Sequence, residues 1–158
     1  MIRSDDLDTT EVLRKTRDFA VERGIEDIIV ASTSGDTGIR AGEVFKEDDV
    51  NLVVVGHCTG FKEENKQQMK EDNIRKIRDL GGEVFIGPMV SHNVNISIRN
   101  KESFSQHDLV FDTLRLFGQG TKVALESVLM ACDAGLVDSG KDVIGIGGTD
   151  KGSDTSLL

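Results

Sequence analysis

Two hydrophobic rhythms take turns along this chain. One is a set of short, nearly unbroken apolar runs: Asp27 to Ala31, Val50 to Gly56, Glu83 to Gly87 and Asp142 to Gly147, each bounded by turn residues. Runs of this length and density predict strands buried on both faces. The other rhythm is helical. Asp8 to Gly24 predicts a helix capped by Asp8, with Glu11 three residues on as in a capping box. Val12, Leu13, Thr16, Phe19 and Ala20 form its apolar face, and Gly24 stops it. A short helix follows to about Phe45. Lys66 to Leu80 predicts a charged helix with Met69, Ile74, Ile77 and Leu80 inward, ended by Gly81-Gly82. His107 to Gly118 and Gly120 to Gly135 predict two more, the second from the spacing of Leu125, Val128, Leu129, Cys132 and Leu136. Between Pro88 and Gln106 the rhythm breaks. There Val94, Ile96 and Ile98 alternate with polar residues, as in an edge strand or a covering flap. Ser156-Leu157-Leu158 looks like the start of a further element.

Strands alternating with helices imply a parallel sheet covered on both faces. The expected fold is a three-layer α/β/α domain over residues 1–158 with a mostly parallel, doubly wound sheet. Right-handed crossovers make the simplest order of the four strands third, second, first, fourth. The order reverses between the first and fourth strands, and ligands in open α/β sheets bind outside the carboxyl ends at that point. Two loops meet there, Ser32–Gly38 and Gly147–Thr155, and both are rich in Gly, Ser and Thr.

Composition narrows the partners. The 158 residues are 37% hydrophobic, so a core is available, and the formal net charge is −9. A nucleic-acid or anionic-membrane surface needs a basic footprint that this chain lacks. Backbone N–H groups can still bind a small anion locally. No apolar run reaches the roughly 18 residues of a membrane span, and the expected location is cytoplasmic. Cys58 and Cys132 give neither a disulfide framework nor metal-ligand spacing, and the three histidines add none. There is no P-loop, no third glycine after Gly145-Ile146-Gly147, and no nucleophile elbow.

The candidate chemistry therefore lies on the loops. Ser32-Thr33-Ser34-Gly35-Asp36-Thr37-Gly38 joins a strand to a helix N-terminus, where orphan N–H groups and the helix dipole favour an anion. Ser32, Ser34 and Thr37 add hydroxyl donors, and Gly35 allows close approach. His57, Thr59, Gly60 and Phe61 follow the second strand on the same rim. His57 is a candidate ligand or acid–base group, and Phe61 candidate cover for a planar ring. Gly148, Thr149, Lys151, Gly152, Ser153 and Thr155 form the second loop, and Lys151 is the only cation in either loop. Gln119 and Lys122 are candidates for a ligand's polar edge. His92 and His107 are expected at the surface or at a hinge, although His92 and Met89 are also available as ring cover.

The Ser32–Thr37 spacing, S-x-S-G-x-T, resembles two phosphate loops. One is the flavodoxin loop that holds the phosphate of flavin mononucleotide. The other is the effector loop of the pyruvate kinase C-terminal domain, which holds a sugar phosphate. The chain from about residue 8 to 158 resembles a stand-alone archaeal family built on that pyruvate kinase domain. The likeness is carried by Ser32–Gly38, Gly56–Phe61, Asp112–Gly120 and Gly147–Thr155. It departs at Asp36, where an acid stands in place of a basic or small residue. The pyruvate kinase barrel is absent, so pyruvate kinase activity is not implied. The resemblance implies a phosphate-bearing small-molecule ligand, with flavin mononucleotide (FMN) first among candidates. An enzyme acting on a phosphorylated metabolite, with His57 and Lys122 or Lys151 in proton-transfer or electrostatic roles, is the alternative. A sugar-phosphate effector module and a self-associating structural module are the others.

Overall fold

A computed structural model describes residues 2–3, 8–92 and 105–158. In chain order the elements are β1 (Ile2–Arg3), α1 (Thr9–Arg23), β2 (Asp27–Ala31), α2 (Asp36–Phe45), β3 (Asn51–Gly56), α3 (Glu71–Asp79) and β4 (Glu83–Ile86). Then come α4 (Gln106–Arg115), α5 (Gln119–Asp133), β5 (Val143–Gly147) and β6 (Thr155–Leu157). One six-stranded sheet runs β1-β6-β5-β2-β3-β4. Its parallel part, β5-β2-β3-β4, is the order expected from the sequence, with β2 between β3 and β5. β6 and β1 extend it antiparallel beyond β5. The final Ser-Leu-Leu thus belongs largely to β6, a strand too short to show in the hydrophobic pattern.

Alternation along the strands sorts the core into two layers. Ile28 and Val30 of β2 and Leu52 and Val54 of β3 face Leu13 and Ala20 of α1, Ala41 and Phe45 of α2, and Ile74 and Ile77 of α3. Ile29, Val53 and Val55 face the other way, against Met130 and Ala131 of α5 and against Met89. With α4 beside α5, the three-layer α/β/α, doubly wound architecture is complete. No helix among the described residues is long and apolar enough to cross a membrane.

The helix ends follow the local chemistry. The Asp8 side chain accepts from the N–H groups of Thr10 (2.5 Å) and Glu11 (3.2 Å), and Gly24 closes α1 with φ 62°. Glu11 pairs with Lys15 (3.2 Å) rather than closing a box. The expected Lys66–Leu80 helix is shorter: α3 starts at Glu71, and Met69 is buried ahead of it. On α5 the inward face is made of small residues, Gly120, Ala124, Ser127 and Ala131, while Leu125 and Leu129 are 37% and 47% exposed. Small residues let the helix axis lie close to the sheet, which turns the leucines of the expected pattern outward. The alternating stretch with Val94, Ile96 and Ile98 lies outside the described residues.

Candidate functional site

β2 and β5 are adjacent and parallel, so their following loops flank the point where the strand order reverses. α2 starts at this rim, its first turn held close to the sheet. A Cβ on Gly38 would lie 2.6 Å from Val54 Cγ1 and 2.9 Å from Ile77 Cδ1, so Gly38 serves packing of α2 on the core. Gly35, the residue before α2, has φ 96°, a left-handed conformation that glycine adopts without strain.

The first loop divides its donors between itself and solvent. Ser32 is buried, and its hydroxyl accepts from the Gly38 N–H at 3.2 Å, so it caps α2 rather than offering a donor to a ligand. The Ser34 hydroxyl donates to Asp36 Oδ2 at 2.8 Å, and Asn73 Nδ2 donates to the Ser34 carbonyl at 2.9 Å and to Asp36 Oδ1 at 3.4 Å. Asp36 is therefore drawn onto its own turn by Ser34 and Asn73. Among the described residues, the backbone N–H groups of Thr33, Ser34, Gly35 and Thr37 and the hydroxyls of Thr33 and Thr37 take no hydrogen-bond partner.

The second loop is folded on itself. Asp154 Oδ2 accepts from the N–H (2.9 Å) and hydroxyl (2.5 Å) of Thr149, and its Oδ1 accepts from the Thr155 hydroxyl at 2.6 Å. Thr149 and Thr155 are thus committed within the protein. Thr155 is also a buried residue of β6 rather than part of an open loop. Gly148 and Gly152 bring their backbones together: a Cβ on Gly148 would lie 2.1 Å from the Gly152 carbonyl oxygen. The Ser153 N–H donates to Thr9 Oγ1 at 3.0 Å, tying the loop to the start of α1. The Ser153 hydroxyl is buried and is the one such side-chain polar atom among the described residues without a partner. Lys151 is exposed and makes no ion pair among the described residues.

The other side of the rim is made of rings and buried charge. His57 follows β3, and its Nδ1 lies 3.1 Å from Gln68 Oε1. Its ring is 4.0 Å from that of Phe61, which is 4.6 Å from that of His92. His92, expected at the surface or a hinge, is thus the third ring of a stack joining the loops after β3 and β4. Burial pushes the His92 imidazole below its usual value. Glu126 pulls it back up, while the charges of His57 and Lys122 push it further down. Thr59 and Gly60 are exposed beside this stack, and Gln67 Nε2 reaches Thr59 Oγ1 at 3.4 Å.

Lys122 differs most from expectation. It does not reach out to a crevice: it is 4% exposed and paired with Glu126, itself 3% exposed. Its Nζ donates to Ser91 Oγ at 2.7 Å and lies 5.2 Å from the Phe111 ring centroid. Glu126 Oε1 accepts the Ser91 N–H at 2.7 Å. Burial pushes the Lys122 ammonium below its usual range despite the carboxylate beside it. Burial works to raise Glu126, but the bonds from Lys122 and Ser91 outweigh it and hold the carboxyl low. Gln119 is turned to Arg115, whose Nε donates to its Oε1 at 3.1 Å. Sequence reasoning named Lys122 but missed Glu126 and Ser91. The i, i+4 spacing of Lys122 and Glu126 was the available signal for the pair. Nothing in the sequence brings residue 91 to residue 122.

Cys58 and Cys132 are free thiols, and burial raises the Cys132 thiol. No group of three metal-ligating side chains occurs among the described residues. A groove of about 550 Å³ lies between α1 and α2, lined by Arg14, Arg40, Asp18 and Glu43 among others. Its lining includes no residue of the two crevice loops, and its charges are mixed.

No family model matches the chain. Among solved structures, a hydrogen sulfide-producing enzyme from Fusobacterium nucleatum is 21% identical over 63% of this chain and 30% of its own, with a TM-score of 0.38. O-ureido-L-serine synthase is 19% identical over 70% of this chain and 30% of its own, with a TM-score of 0.37. A variant of that synthase with O-ureido-L-serine bound covers 80% of this chain and 47% of its own at 17% identity, with a TM-score of 0.38. The chain spans less than half the length of these proteins, and likeness of this size carries no residue role across.

Proposed function

We propose that this protein binds a phosphate-bearing small molecule where the loops after β2 and β5 flank the strand-order reversal. The observation that carries the reading is the first loop: four consecutive or near-consecutive backbone N–H groups, of Thr33, Ser34, Gly35 and Thr37, without partners among the described residues at the start of a helix. Such donors suit a phosphate whatever the net charge of the chain. The unpartnered, buried Ser153 hydroxyl on the second loop is a further polar group awaiting a partner. FMN is the first candidate, because the His57–Phe61–His92 stack offers aromatic cover for a planar ring on the same rim. The kinship with a pyruvate kinase C-terminal-like family belongs to this proposal. Mass spectrometry of protein denatured directly after purification, backed by titration with added flavin, tests it. A co-purifying flavin, or quenched flavin fluorescence at tens of micromolar, is expected (an affinity of roughly −6 kcal/mol or better). No flavin and no quenching transfers the reading to sugar phosphates.

A second reading, an enzyme acting on a phosphorylated metabolite, is favoured by the buried Lys122–Glu126 pair near His92. Displaced charge and shifted acidity concentrate at sites of proton transfer. Turnover of a phosphorylated substrate that is lost on His57→Ala, with the fold retained by circular dichroism, supports it.

A further inference from the structure

α4 buries little within one chain. It is ten residues long, and a helix shorter than about 12–15 residues is marginal in water unless it is packed. It packs chiefly on α5, and of its own side chains Asp108 and Phe111 are the buried ones. A second side of α4 is apolar and faces solvent. Leu109, Val110 and Leu116 stand at i, i+1 and i+7, one stripe of the helix, and are 60%, 56% and 83% exposed. On the adjoining α5, Leu125 and Leu129 stand one turn apart and are also exposed. Five aliphatic side chains at such exposure leave on the order of 500 Å² of apolar surface, as much as the largest patch on an ordinary monomer, and patches of this size mark interaction sites.

Charge decides what this surface fits. The chain has a formal net charge of −9, so most of its surface repels a second copy. From Leu109 to Cys132 the charged residues are Asp112, Arg115, Lys122 and Glu126, two of each sign, so the whole excess of acid lies outside this stretch. Asp112 pairs with Arg115, and Lys122 pairs with Glu126 in the interior. A basic partner finds its complementary charge elsewhere on the molecule. An identical chain meets the least repulsion here, and a two-fold axis asks only that the face be complementary to itself, as an uncharged leucine and valine stripe is. We propose that two copies of this chain associate through the outer faces of α4 and α5, with α4 of one packed across α4 of the other. The two helices from each copy form a four-helix bundle with Leu109, Val110 and Leu116 inside, which supplies the apolar burial that α4 lacks alone. The apolar face with a polar rim around it matches the roughly 800 Å² per partner of a standard interface. The proposal is independent of the phosphate reading, because it uses no residue of either crevice loop.

The test is sedimentation velocity on the full chain, from about 1 to 100 µM, a range that brackets an interface of moderate affinity. Twice the monomer mass is expected at the upper end. Leu109→Glu with Leu116→Glu sets like charges across the two-fold axis and is expected to weaken association at least about a hundredfold, with the circular dichroism of a folded protein. Mixing that variant with Leu109→Lys, Leu116→Lys is expected to restore the dimer. Val21→Glu, at a 62% exposed position on α1 in the opposite layer, is expected to leave the mass unchanged. If the double Glu variant fails to fold, Leu116→Gln replaces it, with about a tenfold loss expected from the single buried leucine. A wild-type protein that stays monomeric to about 100 µM overturns the proposal, whether its own chain or another protein covers the face. A dimer that survives the Glu substitutions unchanged overturns it too, because the copies then meet elsewhere.

Discussion

The two sides of the rim reach toward a ligand by different means. On the β2–α2 side the chemistry is main chain: free N–H groups on a short loop, fixed by a glycine with positive φ and a helix pressed to the sheet through Gly38. On the α5 side it is side chain: a buried ammonium and carboxylate, a serine between them and solvent-touching residues, and a stack of three rings. A main-chain site is cheap to maintain, because its donors are left over from helix formation. A buried side-chain pair must be held together continuously, because either partner alone is an uncompensated charge. The two sides should therefore break differently: loss of the pair endangers the fold, and loss of loop hydroxyls endangers only affinity.

The largest effect is expected on the α5 side. Glu126→Leu leaves Lys122 buried without its partner and the Ser91 N–H without an acceptor, and should destabilise the protein by about 3–5 kcal/mol. Lys122→Met combined with Glu126→Leu removes both charges and should recover most of that loss. Urea midpoints of the single and double variants check this. A double variant as unstable as the single would mean that the pair itself, and not its imbalance, holds α5 in place.

The next effect is on the loop side. Ser34→Ala with Thr37→Ala should weaken ligand binding more than about tenfold, at roughly 1.5–3 kcal/mol for each charge-assisted bond lost. The thermal midpoint should move little, because the Thr37 hydroxyl has no partner to lose and Ser34 bonds only the exposed Asp36 turn. Calorimetric titration of both proteins measures it. Unchanged affinity in a folded variant rules the loop out as the phosphate site.

This contrast also explains what the sequence made legible. Three buried strands, the order of the parallel strands and the loop after β2 are local or nearly local signals: a dense apolar run, a capping residue, a hydroxyl–glycine spacing; β4, expected to be buried on both faces, is instead a half-buried edge strand. The outward turn of Leu125 and Leu129 was hidden because the same helical spacing serves either face. The deciding fact is how closely the small residues on the other side let α5 approach the sheet. The Ser91–Lys122–Glu126 cluster and the His92 ring depend on contacts between residues 31 and 35 positions apart and on two different loops. Thr149 and Thr155 read as open donors, because nothing local announced that Asp154 would turn back onto both.

A pH dependence sharpens the comparison further. His92 is held neutral in the fold, below its ordinary value, chiefly by burial. As pH falls through about 6.5 the unfolded chain takes up the proton first, so stability falls toward the lower folded value. Glu126 and Asp48 are both held low in the fold, Asp48 chiefly by its bond from Arg17, so their contributions persist until more acid conditions. Between pH 7.5 and 5.5 the urea midpoint should therefore drop, and His92→Gln should flatten that part of the curve. An identical slope in the variant assigns the dependence elsewhere.

The smallest expected effect belongs to Lys151, and it bears on whether the second loop takes part at all. Thr149 and Thr155 are committed to Asp154, so among the described residues the loop's side-chain donors left for an anion are the buried Ser153 hydroxyl and the exposed Lys151 ammonium. An exposed ammonium facing a phosphate contributes little in water, about 0.2–1 kcal/mol, and salt screens it. Lys151→Gln should thus weaken binding by no more than a few-fold at low salt, and the difference should shrink as ionic strength rises. Ser153→Ala tests the buried group: it should lower affinity while leaving the fold stable, because its hydroxyl has no protein partner to lose. If both variants bind as the wild type does at every salt concentration, the second loop is only a wall. The site would then belong to the β2–α2 turn and the ring stack alone.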